Sequence, residues 1–260
     1  MPSCSECSKL VAGKCAAFEQ AQAEFGRDVN PIGACVIPIV EEYRRQIRGG
    51  MSVLEIGCGT WDALVSHCKS VGARYEGVDS SEFYYDKRTI ATRIENLRDL
   101  SFADREFDFV IGNQTMEHWG EYGCPLDVGI YQCFRVCKLG GRVMLNVPIH
   151  FHGTRDFLIG DMARIRTRFE RYSSNIKMET WRRDAAPLEP YLPRDDYWVL
   201  RNKPAYVLAI DAICDRESRS RPTFRKNIPV QLLRTLNYPF SFNVVRSFRK
   251  ASALVDRLIH

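Results

Sequence analysis

The chain has 260 residues, is 45% hydrophobic and 27% charged, and carries a formal net charge of +5. These are ordinary values for a globular protein able to bury a full core. No uncharged apolar run approaches the ~18 residues of a membrane span, which excludes a helical integral membrane protein. The first residues lack the apolar core of a signal peptide, so a cytoplasmic chain is expected. The charge is unevenly placed. Residues 1–150 carry 16 basic and 20 acidic side chains, and residues 151–260 carry 21 and 12. The C-terminal part therefore leans toward an anionic partner or surface; a solvated basic face is the other reading.

Ten cysteines in such a chain are expected as thiols or metal ligands rather than disulfides. Cys4 and Cys7 have the spacing that lets two thiolates reach one metal ion, and Cys15 and Cys35 complete a set of four. Zinc or an iron–sulfur cluster is the expected occupant of this segment, residues 1–37. The alternative is a polar segment with four separate thiols. Residues 38–48 read as a helix: Pro38 suits the first turn, Glu41 and Glu42 come early, arginines come late, and Gly49-Gly50 ends it.

Residues 53–56 read as a buried strand running into Gly57-Cys58-Gly59. A strand entering Gly-x-Gly, followed by a helix over 61–68, is where an α/β protein offers backbone N–H groups to a ligand. The glycines let the chain turn sharply and approach that ligand. Residues 74–79 read as a second strand ending in Asp79. The spacing from Gly59 puts its carboxylate at the end of the neighbouring strand, where it can accept both hydroxyls of a ribose. A weaker strand is expected near 93–97 and a strong one over 107–113. A helix over 126–138 leaves through Leu139-Gly140-Gly141 into a strand over 142–148. The final elements expected are a strand at 197–200, a turn, and a strand over 205–213. The sum is α/β: a doubly wound, mostly parallel seven-stranded sheet with a terminal antiparallel hairpin.

Ile149-His150-Phe151-His152-Gly153 leaves the carboxyl end of a strand, where open α/β sheets bind substrates. Residues 161–172 read as a helix rich in arginine (Arg164, Arg166, Arg168, Arg171), and 178–183 as a further short element. Residues 150–196 are thus expected to cap the acceptor. Their arginines suit a sugar-like or other anionic molecule, or make a solvated helix face. The expected division is 1–37, 38–214 and 215–260. In the last part Val244, Val245, Phe248, Ala251, Val255, Leu258 and Ile259 recur near helical spacing beside Arg246, Arg249, Lys250 and Arg257. This stretch packs on the body, on a second subunit, or on a membrane surface.

Five ordered stretches resemble the class I, Rossmann-like, S-adenosylmethionine-dependent methyltransferases. They are Glu55-x-Gly57-x-Gly59, Asp79 in Gly77-Val78-Asp79, the run from Asp99-Leu100-Ser101-Phe102 to Phe107-Asp108, Met116-Glu117-His118, and Arg135-Val136-Cys137-Lys138-Leu139-Gly140-Gly141. The resemblance implies a cofactor site built from Glu55, Gly57, Cys58, Gly59, Asp79, Asn96, Leu97 and Asn113. It departs at Trp61, where the family has a third glycine, and at Asn96, where an acid meets the adenine amine. An NAD site would want glycine where Asp62 stands.

Methyl transfer needs an aligned acceptor and, for a hydroxyl, a proton acceptor. His118, then His152 and His150, are the candidates, with Glu117 to orient His118 or bind the acceptor. The expected activity is O-methylation of a small-molecule or glycan acceptor. An RNA-modifying methyltransferase, with nucleic acid held by the basic C-terminal part, is the second reading. A non-catalytic cofactor-binding scaffold is the third.

Overall fold

The computed structural model describes residues 31–84, 87–150, 153–182, 206–217 and 222. Helix α1 spans Pro31–Arg44. It starts at Pro31 rather than Pro38, so it carries Cys35 and runs through the 37/38 boundary. Cys4, Cys7 and Cys15 lie outside the described residues, among which no group of metal-ligating side chains gathers.

Strand β1 (Ser52–Ile56) enters the glycine turn, and helix α2 (Ala63–Val71) follows it. Gly72 ends α2 in the left-handed region, with its N–H on the Cys68 and Lys69 carbonyls. Strand β2 is Arg74–Asp79, and β3 (Phe83–Tyr84) pairs with β4 (Lys87–Arg88) in a small separate ribbon. The weak strand is only two residues long, β5 (Arg93–Ile94), and runs into a 3₁₀ turn at Leu97–Asp99. Strand β6 (Phe107–Asn113) leads to a second 3₁₀ turn at Trp119–Tyr122. Helix α3 (Leu126–Val136) passes without a loop into β7 (Cys137–Ile149). The expected exit at 139–141 is therefore strand, with Gly140 taking φ +80° and the β6 pairing shifting register between Phe107 and Phe109. Two short helices, α4 (Arg155–Ile159) and α5 (Met162–Phe169), precede β8 (Ile176–Arg182) and β9 (Tyr206–Ile213).

One sheet holds seven strands in the order β5-β2-β1-β6-β7-β9-β8. The first five are parallel neighbours; β9 runs antiparallel to both β7 and β8. The terminal hairpin is present, but the partner of β9 is β8. The run at 197–200 lies outside the described residues.

Alternation along the strands splits the core between two faces. Leu54, Val110 and Leu145 point to a face shared with Phe134, Phe169 and Tyr172. Val53, Phe109, Ile111 and Met144 point to the face covered by α1 and α2 through Val36, Ile39, Val40 and Leu64. Each such side chain contributes roughly 1.5–3 kcal/mol by leaving water. Phe134 is stacked on Tyr172 with centroids 5.2 Å apart and edge-on to Phe169, so Phe134→Ala would cost about 3–5 kcal/mol. Arg135, two residues before β7 begins, donates to the Phe102 and Leu100 carbonyls and to Asp104, which fixes the 99–104 run against α3.

The capping arginines meet acids of their own chain. Arg168 bonds Asp127 on α3 (2.6 Å) and Asp156 on α4 (2.7 Å), Arg164 lies 3.3 Å from Asp156, and Arg171 lies 3.9 Å from Asp127. These three explain part of the arginine richness as an internal clamp of the 155–169 helices onto α3. The partner expectations are also corrected. Among the described residues no helix is long and apolar enough to cross a membrane. The stretch meant to lie on a membrane, 244–259, falls outside them; with no such helix described and Arg164, Arg168 and Arg171 paired to acids of their own chain, membrane surface, glycan and nucleic acid are withdrawn as partners.

Candidate functional site

The carboxyl ends of β1, β2, β5 and β6 meet at one edge of the sheet, as parallel pairing in the order β5-β2-β1-β6 requires. The glycine turn sits in the middle of it. Gly57 and Gly59 take φ +64° and +56°, a region L side chains rarely adopt. A Cβ at Gly57 would lie 2.6 Å from Thr115 Cγ2, whereas one at Gly59 would meet nothing within 4 Å. Gly57 is thus required by close contact and conformation, and Gly59 keeps open space above the turn.

The N–H groups of this turn are not aimed outward. Those of Gly57 and Cys58 donate to the Val78 carbonyl (2.8 and 3.3 Å), and that of Gly59 donates to Asp79 Oδ2 (3.0 Å). The turn is therefore stitched to β2. The expectation that its amides cradle a ligand gives way to a steric role, in which the glycines let a ligand come close. Asp79 is half-buried, with one carboxylate oxygen fixed by Gly59. Its other oxygen stands at the strand end, as a ribose hydroxyl would need.

Glu55 is 3% exposed. Its carboxyl accepts from Tyr75 Oη (2.7 Å) and Asn113 Nδ2 (3.1 Å). Burial, against those two hydrogen bonds and with Asp79 nearby, pushes its pKa up to about 7. Asn113 Oδ1 in turn accepts from Asn146, whose own oxygen accepts from Gln114. Glu55 and Asn113 thus brace the site from inside. Tyr75 and Asn146 were not singled out in the sequence. The visible signal for Tyr75 was Gly77, where a Cβ would sit 2.7 Å from Tyr75 Oη, so the glycine makes room for that hydroxyl. Cys58 is buried, and burial followed by the Glu55 and Asp79 charges pushes its thiol up to about 12. It is a packing residue, not a nucleophile.

At the adenine end the structure is more committed than the sequence implied. Asn96 Oδ1 caps the 3₁₀ turn by accepting from Arg98 N (2.9 Å), and Nδ2 donates to the Tyr122 carbonyl (2.7 Å). One lone pair of Oδ1 remains for an amine. Leu97 is buried in the core below. Trp61 packs partly buried on the α1/α2 face, so its bulk is accommodated there. The set of open glycine turn, strand-end carboxylate and amide oxygen fits S-adenosylmethionine.

The segment after β6 carries the acceptor-side candidates. Thr115 accepts from the Trp119 indole (3.1 Å), and Trp119 packs into Gly129 of α3. Between them, Glu117 is 1% exposed and His118 has a side chain 36% exposed. His118 Nδ1 lies 3.3 Å from Glu121 Oε1, and Nε2 lies 3.9 Å from Glu117 Oε1, beyond hydrogen-bond distance. Burial lowers the His118 pKa, but the Glu121 hydrogen bond and the charges of Glu117 and Glu121 outweigh it, and the net shift is upward. His150 is elsewhere. It takes φ +58°, lies edge-on to Tyr206 with centroids 5.4 Å apart, and places Nε2 where a Cβ on Gly160 would be 2.7 Å away. It joins β7, the end of α4 and β9. His152 lies outside the described residues. Gly153, with φ +105°, backs onto Glu117, whose Cβ would be 2.9 Å from a Cβ there.

Comparison with known proteins agrees with this geometry. Residues 34–183 match the family described as "Methyltransferase domain". A sterol 24-C-methyltransferase of Yarrowia lipolytica is 26% identical over 111 residues, 38% of this chain and 28% of that protein. One from Gibberella zeae is 29% identical over 107 residues, 36% and 27% of the two chains. The match thus spans less than a third of the length of these curated relatives. Among solved structures, phosphoethanolamine N-methyltransferase 2 of Haemonchus contortus has a TM-score of 0.50 at 16% identity, covering 78% of this chain and 57% of that one. A sarcosine dimethylglycine methyltransferase assigned in Galdieria sulphuraria has a TM-score of 0.50 at 11% identity, covering 77% and 99%. At these identities the structural matches speak for the fold. Sheet order, glycine turn, strand-end carboxylate and family match agree, and the chain belongs to the class I, Rossmann-like, S-adenosylmethionine-dependent methyltransferase family.

Proposed function

We propose that this protein transfers the methyl group of S-adenosylmethionine to a hydroxyl of a small-molecule acceptor. The single observation that carries the proposal is the placement of His118. It stands on the segment after β6, between two carboxylates, and that segment touches the cofactor turn through Thr115.

Bound S-adenosylmethionine supplies the electrophilic methyl. The ribose is assigned to Asp79, the adenine to Asn96, and the methionine portion to the space over Gly59. With the proton on Nδ1, 3.3 Å from Glu121 Oε1, the imidazole presents Nε2 as a proton acceptor. The two glutamates raise the basicity of His118, so it loses its own proton only above the ordinary histidine range. The rate should therefore rise with pH on a limb displaced upward from that of a free imidazole. Glu117, buried beneath Gly153, holds the 117–118 backbone under the start of the 153–169 insertion, which is assigned as the acceptor wall. The sterol specificity named for the curated relatives supports only the coarser point that such domains take small molecules.

The test has two parts. Purified protein is first screened with methyl-labelled cofactor against small-molecule hydroxyl and amine acceptors, to find a substrate. His118→Gln is then compared with wild type. The expected loss is about 10²–10⁴-fold in turnover, with S-adenosylhomocysteine affinity unchanged. Undiminished turnover would leave methyl transfer by alignment alone and would point to an amine acceptor.

A further inference from the structure

Far from that edge of the sheet, two buried cysteines lie side by side next to a guanidinium. Cys137 opens β7 and Cys214 follows β9, and both are fully buried. Their backbones are drawn together because Cys214 N donates to the Gly141 carbonyl and Gly140 N to the Cys214 carbonyl, each at 2.8 Å. Gly141 supplies the space between them: a Cβ there would lie 2.9 Å from Cys137 Sγ. Cys214 Sγ lies 3.8 Å from the Cys137 carbonyl oxygen and 3.7 Å from that of Phe134, so the two cysteines are packed side by side. Arg105, itself held at φ +60°, places Nη1 2.8 Å from Cys214 Sγ while also bonding the Cys137 carbonyl (3.1 Å).

A sulfur that accepts from a guanidinium, with a second cysteine packed beside it, is set up to ionise. The Cys137 side chain beside it, and then Arg105, hold the Cys214 thiol below the ordinary cysteine range in spite of burial. The other buried cysteines with a resolved shift (Cys58, Cys68, Cys133 and Cys137) are pushed the opposite way. Asp215, Arg216 and Glu217, which follow Cys214, are exposed, so the pair lies one residue from the surface.

We propose that Cys137 and Cys214, with Arg105, form a peroxide-sensitive modification site that closes to a disulfide. The Cys214 thiolate attacks one oxygen of a hydroperoxide. An S–O bond forms, the O–O bond breaks, and the departing oxide takes a proton to leave as water or an alcohol. Cys214 is then a sulfenic acid. The Cys137 sulfur attacks it, the S–S bond forms, the S–O bond breaks, and the hydroxyl leaves as water with the Cys137 proton. Two thiols are oxidised and one peroxide is reduced. The product ties the start of β7 to the end of β9.

The experiment treats the full-length protein with hydrogen peroxide, alkylates it in denaturant without reductant, and maps its peptides by mass. The expected product is a Cys137–Cys214 cross-linked peptide, two hydrogens lighter than its parts and absent after reduction. Cys137→Ser should leave Cys214 as a sulfenic acid that a dimedone probe labels. Arg105→Gln should slow cross-linking by about tenfold or more, since less of the sulfur is thiolate near neutral pH. Recovery of both cysteines as alkylated thiols from peroxide-treated wild type would overturn the proposal, whatever the variants do. So would an unchanged rate in folded Arg105→Gln.

Discussion

The two halves of the candidate site are built differently. On the cofactor side, β1, β2, β5 and the end of β6 bring up groups that are already bonded to one another. Asp79 holds Gly59, Tyr75 and Asn113 hold Glu55, and Asn96 caps its own turn. On the acceptor side, beyond β6 and β7, the groups are held by sterics and charge: a histidine between two glutamates, and two glycines seated on Glu117 and His150. The first half is a preorganised frame for one ligand. The second half is a surface whose shape follows from how the 153–169 insertion is clamped to α3. The difference teaches where specificity can vary. Hydrogen-bonded strand ends tolerate little change, whereas a wall held by a few glycines and ion pairs can be re-cut around a different acceptor.

The largest test of this contrast is pH. Glu55 has its pKa raised from 4.5 to about 7, so between those values the folded chain keeps a proton that the unfolded chain has lost. Its contribution to stability is full below pH 4.5 and is lost as pH rises through about 7, a fall of about 3 kcal/mol. Denaturation at pH 5 and pH 8 should show this slope in wild type and a flatter one in Glu55→Gln. Equal slopes would mean that the frame is not closed around Glu55. Next comes ligand binding. Asp79→Ala should weaken S-adenosylhomocysteine by about 2–3 kcal/mol in calorimetry, the loss of charged hydrogen bonds. An unchanged affinity would remove Asp79 from the ribose.

The acceptor half should respond less, and to shape. Gly160→Ala puts a Cβ at φ +70° and 2.7 Å from His150 Nε2, and should cost about 1–2 kcal/mol in thermal or chemical unfolding. Adding His150→Ala should restore part of that loss, and purely additive losses would mean the two do not touch. The smallest effect is expected at the clamp. Asp127→Asn weakens a pair whose carboxylate is more than a third exposed, so about 0.5–1 kcal/mol is expected, fading with salt.

Much of the frame was legible in the sequence because its signals are local. Strands β2 and β6 read correctly from short apolar runs, and β1 differs by one residue at its start. What escaped was set by distant pairing. β8 is an edge strand, with Lys177 and Glu179 paired outward at 2.7 Å and Ile176 and Met178 packed inward. Its mixed character reads only as a short element of unassigned type at 178–183, while the more apolar run at 197–200 reads as the partner of β9. Tyr75 on Glu55 joins positions on neighbouring strands, which no window of sequence displays. The arginines at 164, 168 and 171 looked free for an anion because their partners, Asp127 and Asp156, come from separate helices. The split of the two histidines, His118 toward glutamates and His150 under Gly160, depends on loops whose path the strand pattern leaves open.

The contact between Gly57 and Thr115 has a consequence for how such a sequence can vary. A methyl at 57 would overlap Thr115 Cγ2 at 2.6 Å and Cβ at 2.9 Å, on a backbone already at positive φ. The cost of changing either residue therefore depends on the other. Alanine at 57 is tolerated best beside glycine at 115, which removes both Thr115 carbons that the new methyl would overlap. The two positions are epistatic, although 57 residues of chain intervene between them. Natural or laboratory drift in the acceptor loop must pass through substitutions that leave the cofactor turn its room.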